Sequence, residues 1–364
     1  MSKRKKLLQF IANPLDIART KKVLHVNPTL EKERVHTNST LSLYNYDANK
    51  CEVHDSIDVA QLPNLLRENT FTWLNVDVVT ADILDKIQQH IFIHPLLLED
   101  IAIDNQRPKL DEVDNQIFCV LQMMYFNDLD KSVESEQVSL VLGKEFLISF
   151  QADPHRDHFD AARNKLKITA SKHRTKGVDF LLYSLLDAIV DNYYLVMDKL
   201  GTEIEALEEN IAQGETTDYT MSKINNLRKE MIMFRRNVVP VRDILTQLYN
   251  TESPLLDPAN KRYFKDVQDH ILQAIDLSEN HRDILNSIRD LYVNQVNLKS
   301  NEVMKFLAII TSLLAPATVL GGIFGMNFDK LPWQHNQYGF LFVALLMIGI
   351  PIVMLAWFRR QGWF

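Results

Sequence analysis

The sequence predicts an α/β domain joined to long helices and ending in two C-terminal transmembrane α-helices. Three observations predict it. Of 40 Lys and Arg and 47 Asp and Glu in 364 residues, only Asp329, Lys330, Arg359 and Arg360 lie beyond residue 305. The first 150 residues alternate short apolar runs with turn residues, the pattern of strands and short helices. From about Asp157 the apolar period lengthens to that of long helices. A composition 46% hydrophobic and 24% charged excludes global disorder, and twelve Pro and ten Gly exclude a collagen-like or low-complexity chain.

Taken in chain order, the Lys3-Arg4-Lys5-Lys6 run reads as a solvated tail, and with no apolar stretch behind it this is not a signal peptide. Residues 1–156 form the α/β region. Strands are expected at Phe71–Val76, Ile117–Phe126, Gln137–Leu142 and Phe146–Phe150, the last two joined as a hairpin by Gly143-Lys144-Glu145, with a helix over Ala81–Ile91 between them. Residues 157–258 form a long-helix region. Helices are expected over 157–173, 178–213 and 218–250, broken by Gly214 and by the 251–258 segment with its two prolines, and Pro240 is expected to bend its helix. No internal repeat is present.

Residues 259–328 read as one helix, interrupted between Lys261 and Phe324 only by Pro316, which a membrane helix tolerates. At 1.5 Å per residue it runs about 95 Å. Its last part, 306–328, has no charge, and about 20 apolar residues suffice to cross a bilayer core. Residues 329–337, with Asp329, Pro332 and Trp333, make a short extracytoplasmic loop, and 338–364 hold a second span and a basic end. Lys299 and Lys305 before the first span and Arg359 and Arg360 after the second place both termini in the cytoplasm by the positive-inside rule.

Composition excludes several functions. Cys51 and Cys119 are far apart and have no C-x-x-C spacing, which excludes a disulfide framework and a Cys-based zinc site and suits a reducing compartment. A net charge of −7 without a basic patch argues against nucleic acid as a partner. No P-loop, Gly-rich nucleotide loop or Ser/His/Asp order is present, so neither a nucleotide nor enzymatic activity is expected. His90 with His94, and His155 with His158, read as structural or surface residues. The run Glu203, Glu205, Glu208 and Glu209 reads as a hydrated face.

The long helix carries a further pattern. Positions 294, 297, 301, 304, 308, 311, 315, 318, 322 and 325 keep heptad spacing and read Asn, Asn, Asn, Met, Ala, Thr, Ala, Thr, Gly, Gly. A core stripe would be Leu and Ile. A small, polar stripe in a membrane helix has two readings, close helix packing or the lining of a water-filled path. Asn294, Asn297 and Asn301, below the membrane, favour the water path. One hairpin cannot enclose a pore, so this reading requires several copies of the chain around an axis.

At the outer end of the first span stands Gly325-Met326-Asn327, within GIFGMNF. Here the chain resembles the CorA family of divalent-cation channels, whose signature is Gly-Met-Asn at the end of the first of two C-terminal membrane helices. The segments Asn301 to Lys305, His94 to Asp100 and Glu136 to Leu140 also look like family segments. The resemblance implies a funnel-shaped homopentamer in the cell inner membrane. It transports Mg²⁺, and often Co²⁺ or Ni²⁺, with partners limited to itself, the lipid bilayer and divalent cations. It implies a filter at Gly325, Met326 and Asn327, with a pore lined by Asn301, Met304, Leu307, Thr311, Ala315 and Thr318. Asn294, Asn297, Ala308 and Gly322 continue the same stripe. Family members often carry a bulky apolar residue at the position of Ala315, so Met304 and Leu307 are the better candidates for the narrowest point.

The chemistry suits Mg²⁺, which dehydrates reluctantly, since neither span holds a carboxylate that would strip or trap it. The resemblance also implies regulatory Mg²⁺ bound between cytoplasmic domains. Asp100 with neighbouring Glu99, and Asp266, look like the sensor pair, and Asp187, Asp191 and Asp290 are weaker candidates. Two alternatives stay open: a Zn²⁺ or Co²⁺ transporter of the same superfamily, and a membrane-anchored cation sensor or scaffold whose hairpin is only an anchor.

Overall fold

The computed structural model describes residues 40–67, 69–153, 156, 158–215, 217, 219–326 and 336–363. Seven strands, β1 (Thr40–Tyr46), β2 (Cys51–Ile57), β3 (Phe71–Asp77), β4 (Lys109–Val113), β5 (Gln116–Asn127), β6 (Ser132–Leu142) and β7 (Phe146–Gln151), form one sheet in the order β2-β1-β3-β7-β6-β5-β4. β3 and β7 pair in parallel, with Leu74 opposite Ile148, and every other pairing is antiparallel. The β6–β7 hairpin forms as expected, closed by Gly143 N–H donating to the Phe146 carbonyl at 2.8 Å. A Cβ at Gly143 would run into the Phe146 ring, so a larger residue there would have to displace that ring.

Alternation along the strands sends residues to two covered faces. Leu74, Val76, Ile148 and Phe150 join Leu41, Leu43, Phe118 and Val120 beneath α2 (Ala81–Gln88) and α3 (Pro95–Ala102), whose Ile83, Leu84, Ile87, Leu97 and Ile101 complete this core. From the neighbouring positions Trp73 and Ser149 are also buried, and the Trp73 indole donates to the Ser149 hydroxyl at 3.0 Å. Trp73 also meets Phe159 edge-on. Thr80 caps α2, which ends at Gln88 rather than Ile91. His94 Nδ1 accepts from the Leu96 N–H at 3.2 Å and caps α3, which gives this histidine the structural role its spacing suggested.

The single helix expected over 157–173 is instead two pieces, α4 (Asp160–Lys167) and α5 (Lys172–Thr175), separated by a turn in which Ala170 adopts φ 59°. Arg174 causes the break. Buried to 6% exposure, it donates to the carbonyls of Leu166 (2.6 Å) and Lys167 (3.1 Å), satisfying the free end of α4. The long helices follow the expected limits closely: α6 (Val178–Ala212), α7 (Thr220–Asn250, continuous through Pro240), α8 (Lys261–Phe324, continuous through Pro316) and α9 (Gly339–Arg360). A four-residue α1 (Leu62–Leu65) precedes β3.

The chain divides into two compact units. The first comprises the residues up to Glu203 with Asn226–Arg282, so the sheet packs with most of α6 and α7 and the start of α8. Tyr193 of α6 donates to the Gln122 carbonyl of β5 at 2.9 Å and meets Phe234 of α7 edge-on. Buried Asp179 accepts from Asp257 N–H and Asn260 Nδ2, both at 2.9 Å, and pins the approach to α8 onto the start of α6. The second unit comprises Ile204–Asn225 and Asp283–Phe364, which include the rest of α8 and all of α9.

Among the described residues three helices are long and apolar enough to cross a membrane, but burial separates them. In α6 the most apolar stretch is 67% buried, so it is a core helix. The corresponding stretches of α8 and α9 are 6% and 11% buried, leaving Phe306, Leu314, Phe340 and Ile352 at least 61% exposed. So large an apolar surface has no stable place in water and belongs in lipid.

Candidate functional site

Two sets of polar groups stand out, one in each unit. In the first unit, Asp187 and Asp191 lie one turn apart on α6, and His270 faces them from α8. One ligand atom from each can be chosen so that all three lie within 4.8 Å of one another. Two anchors hold the helices in this register: the Asp179 clamp at their start, and the Tyr194 hydroxyl donating to the His270 carbonyl at 2.6 Å. His270 Nδ1 is 4.0 Å from Asp187 Oδ1 and is buried with no hydrogen-bond partner. Burial first, and then the negative charge of Asp191, push the Asp187 carboxyl above its ordinary range, with His270 and Lys165 opposing and Asp266 adding. Burial first, and then the charges of Asp187 and Asp266, push the Tyr183 phenol up. Two repelling carboxylates beside an unused imidazole nitrogen form a donor set for a divalent cation.

The sensor candidates taken from sequence are distributed differently. Asp100, on α3, pairs with Lys109 Nζ at 2.6 Å and accepts from Gln106 Nε2 at 2.9 Å; Glu99 beside it is exposed. Asp266 is exposed on α8, one turn before His270. Among the described residues no hydrogen bond or ion pair joins Asp100 to Asp266. Asp290 belongs to the second unit and pairs with Arg289 at 3.0 Å. The structure thus gathers Asp187 and Asp191, the weaker candidates, and adds His270, which sequence reasoning missed. The available signal was a matching pair of i, i+4 spacings, Asp187 to Asp191 and Asp266 to His270, each on one helix face.

In the second unit the ten heptad positions, nine on α8 (Asn294, Asn297, Asn301, Met304, Ala308, Thr311, Ala315, Thr318 and Gly322) and Gly325 just beyond its end, are all exposed, as is Leu307. The less exposed positions, Lys305, Ile309, Leu313, Pro316, Leu320 and Phe324, lie on another face of the helix. There Gly321 approaches α9 so closely that a Cβ would stand 3.3 Å from the Met347 methyl, whereas a Cβ at Gly322 would meet nothing within 4 Å. Close packing within the hairpin therefore does not account for the polar stripe. The Thr311 hydroxyl donates to the Leu307 carbonyl at 2.9 Å and that of Thr318 to Leu314 at 3.0 Å, leaving their oxygens able to accept from water. Beyond Phe324 the Gly325 N–H still donates to Gly321 at 2.9 Å, and a Cβ at Gly325 would press on that same carbonyl. Met326 is exposed. Asn327 and Asp329 lie outside the described residues.

Comparison with known proteins agrees with this architecture. A family model described as CorA-like Mg2+ transporter protein matches residues 68–360. The chain is 34% identical over 324 residues to the cobalt/magnesium transport protein CorA of Thermotoga maritima, covering 89% of this chain and 92% of that protein. It is 20% identical to the zinc transport protein ZntB of Yersinia pseudotuberculosis, covering 80% and 87%. The structure of the CorA magnesium transporter from Methanocaldococcus jannaschii superposes with a TM-score of 0.75 at 25% identity, covering 89% of this chain and 98% of that one. With the sheet, the long helices, the apolar hairpin and nearly the full length of these relatives in common, the chain belongs to the CorA-like Mg²⁺ transporter family.

Proposed function

We propose that the protein is a homopentameric divalent-cation channel that admits Mg²⁺, and also Co²⁺ or Ni²⁺, through the cell inner membrane and is closed by cytoplasmic Mg²⁺. The observation that carries this reading is the stripe from Asn294 to Gly325, exposed throughout and polar or small at every position but Met304. Such a stripe is out of place against lipid, and it suits a wet axis built from copies of the same helix. Gly325, Met326 and Asn327 form the filter, where five Asn327 carbonyl oxygens accept hydrogen bonds from the water shell of the ion. Met304 and Leu307, both exposed, are the apolar constriction.

Influx needs no nucleotide. A 2+ ion gains about 4.6 kcal/mol per 100 mV of inside-negative potential, and both termini face the cytoplasm that gains it. Asp187, Asp191 and His270, with Asp266 beside them, hold the regulatory cation, and Glu99 and Asp100 of a neighbouring subunit complete its shell. Burial and then repulsion from Asp191 raise the Asp187 carboxyl; a bound cation relieves the repulsion, and this is the proposed link between occupancy and closure.

Asn327→Ala tests the filter. In proteoliposomes this variant should assemble normally and lose Mg²⁺ uptake; full uptake would refute the assignment. A zinc-transport reading draws support from the zinc-transporting relative and from the nitrogen donor of His270. Competition among Mg²⁺, Co²⁺, Ni²⁺ and Zn²⁺ in one flux assay separates the two. A scaffold with a mere anchor predicts no conductance in a planar bilayer, and the exposed polar stripe argues against it.

A further inference from the structure

The first unit contains a second feature that the cation chemistry does not use. Between α7, the neighbouring part of α8 and the residue before Pro108 lies a cavity of about 600 Å³, the size of a small-molecule site. Four arginines line it: Arg107 from the approach to β4, Arg235 and Arg236 from α7, and Arg282 from α8. Among the described residues no acidic side chain lines it. Glu279 pairs with Arg235 Nη2 at 2.6 Å through a single contact, and Arg282 is engaged as well. In a chain of net charge −7, four guanidinium groups around one space repel one another and concentrate positive potential. Apolar groups make up the rest of the wall. Ile232 stands 65% exposed, with Val239 and Pro240 both about two turns further along α7.

We propose that this cavity binds a polyphosphate-bearing anion, with the phosphate chain held by Arg107 and Arg236 and any attached ring lying on Ile232, Val239 and Pro240. Guanidinium groups recognise phosphate oxygens through paired hydrogen bonds, and several of them around a concave space match several phosphates rather than one. A cation is excluded by the same charge. The cavity is concave, which favours a compact ligand over an acidic protein segment from another copy. The sequence offers no P-loop, but a phosphate site built from arginine side chains needs none.

Two sources of this chemistry, a free polyphosphate and a nucleoside triphosphate, are separated by the ligands chosen. Tripolyphosphate, ATP, AMP and inorganic phosphate are titrated by calorimetry into the full-length protein in detergent, in EDTA and 0.15 M KCl. EDTA keeps the metal ligands out of the measurement, so failure here leaves the channel reading untouched. Saturable binding of tripolyphosphate and ATP is expected, with AMP and inorganic phosphate much weaker. Equal affinity for the first two assigns the site to the phosphate chain alone, and tighter ATP binding gives the apolar wall to the base; both support the proposal. Arg107→Ala and Arg236→Ala, at exposed positions, should each weaken binding at least about tenfold. Arg236→Lys should recover part of the loss, and Arg67→Ala, remote from the cavity, should change nothing. Absence of saturable binding by both polyphosphates, or unchanged affinity in correctly assembled Arg107→Ala and Arg236→Ala, overturns it.

Discussion

Replacing Asp187 by Asn tests the cation site through two effects of opposite sign. Unit charges 4.8 Å apart, the outer limit of the cluster, repel by about 3.5 kcal/mol at an effective dielectric of 20 and by about 0.9 kcal/mol in water. Asp191 is exposed and Asp187 only partly buried, so the effective figure lies toward the lower end, about 1–2 kcal/mol. Asp187→Asn removes this repulsion and should raise the thermal midpoint of the metal-free protein by about 2–4 °C per kcal/mol. The same change removes a ligand. The wild type at 100 times its Kd gains about 2.7 kcal/mol from the bound ion, and the variant at the same Mg²⁺ concentration should gain much less. Differential scanning fluorimetry in EDTA and in millimolar Mg²⁺ measures both effects. A metal-free midpoint that falls, or a Mg²⁺-induced rise equal to that of the wild type, refutes the assignment. pH adds a sign. Because the folded-state Asp187 carboxyl is raised, the metal-free fold binds that proton more tightly than the unfolded chain does, and its stability falls as pH rises from the ordinary carboxylate range through the raised value. The cation competes with this proton, so its stabilisation should weaken as the solution is acidified.

Other perturbations follow from the same contacts. His270→Ala should lower Co²⁺ or Ni²⁺ affinity far more than Mg²⁺ affinity in metal titrations, since only the softer ions favour an imidazole nitrogen; equal losses would remove His270 from the ligand set. Gly321→Val forces Met347 aside and should cost about 1–3 kcal/mol in stability of the assembled hairpin. Gly322→Val, in open space, should leave stability unchanged and reduce ion flux, and the reverse pattern would misplace the pore face. Arg174→Ala strips the α4 carbonyls of their charged donor and should destabilise the protein by about 2–4 kcal/mol by denaturant titration with no direct effect on ion affinity.

The legibility of this protein in its sequence follows from the range of the forces involved. The α8–α9 hairpin was readable because lipid demands a run without charge, and the limits of α6 and α7 because helical periodicity is a local property. The β6–β7 hairpin was readable from Gly143-Lys144-Glu145 standing between two short apolar runs. Gly325-Met326-Asn327 carried the family. The broken helix after residue 157 was not readable, because Arg174 acts on carbonyls that its own turn brings within reach. Length and composition alone mark α6 as a membrane candidate, and only its burial against the sheet excludes it.

Sequence by itself determined the solvent of each part: water for a segment holding all but four of the charges, and lipid for the remainder, with a stripe on α8 that suits neither lipid nor an apolar core. Tertiary structure decided what lies beside what. The parallel pairing of β3 with β7 depends on packing between segments distant in the chain, as do the meeting of Asp187 and Asp191 with His270, the four arginines around one cavity, and the choice of Gly321 over Gly322 as the contact with α9. The physical reason is that polarity and periodicity act along a few turns of chain, whereas a site forms where helices from different regions are pressed together, and that depends on every residue packed between them.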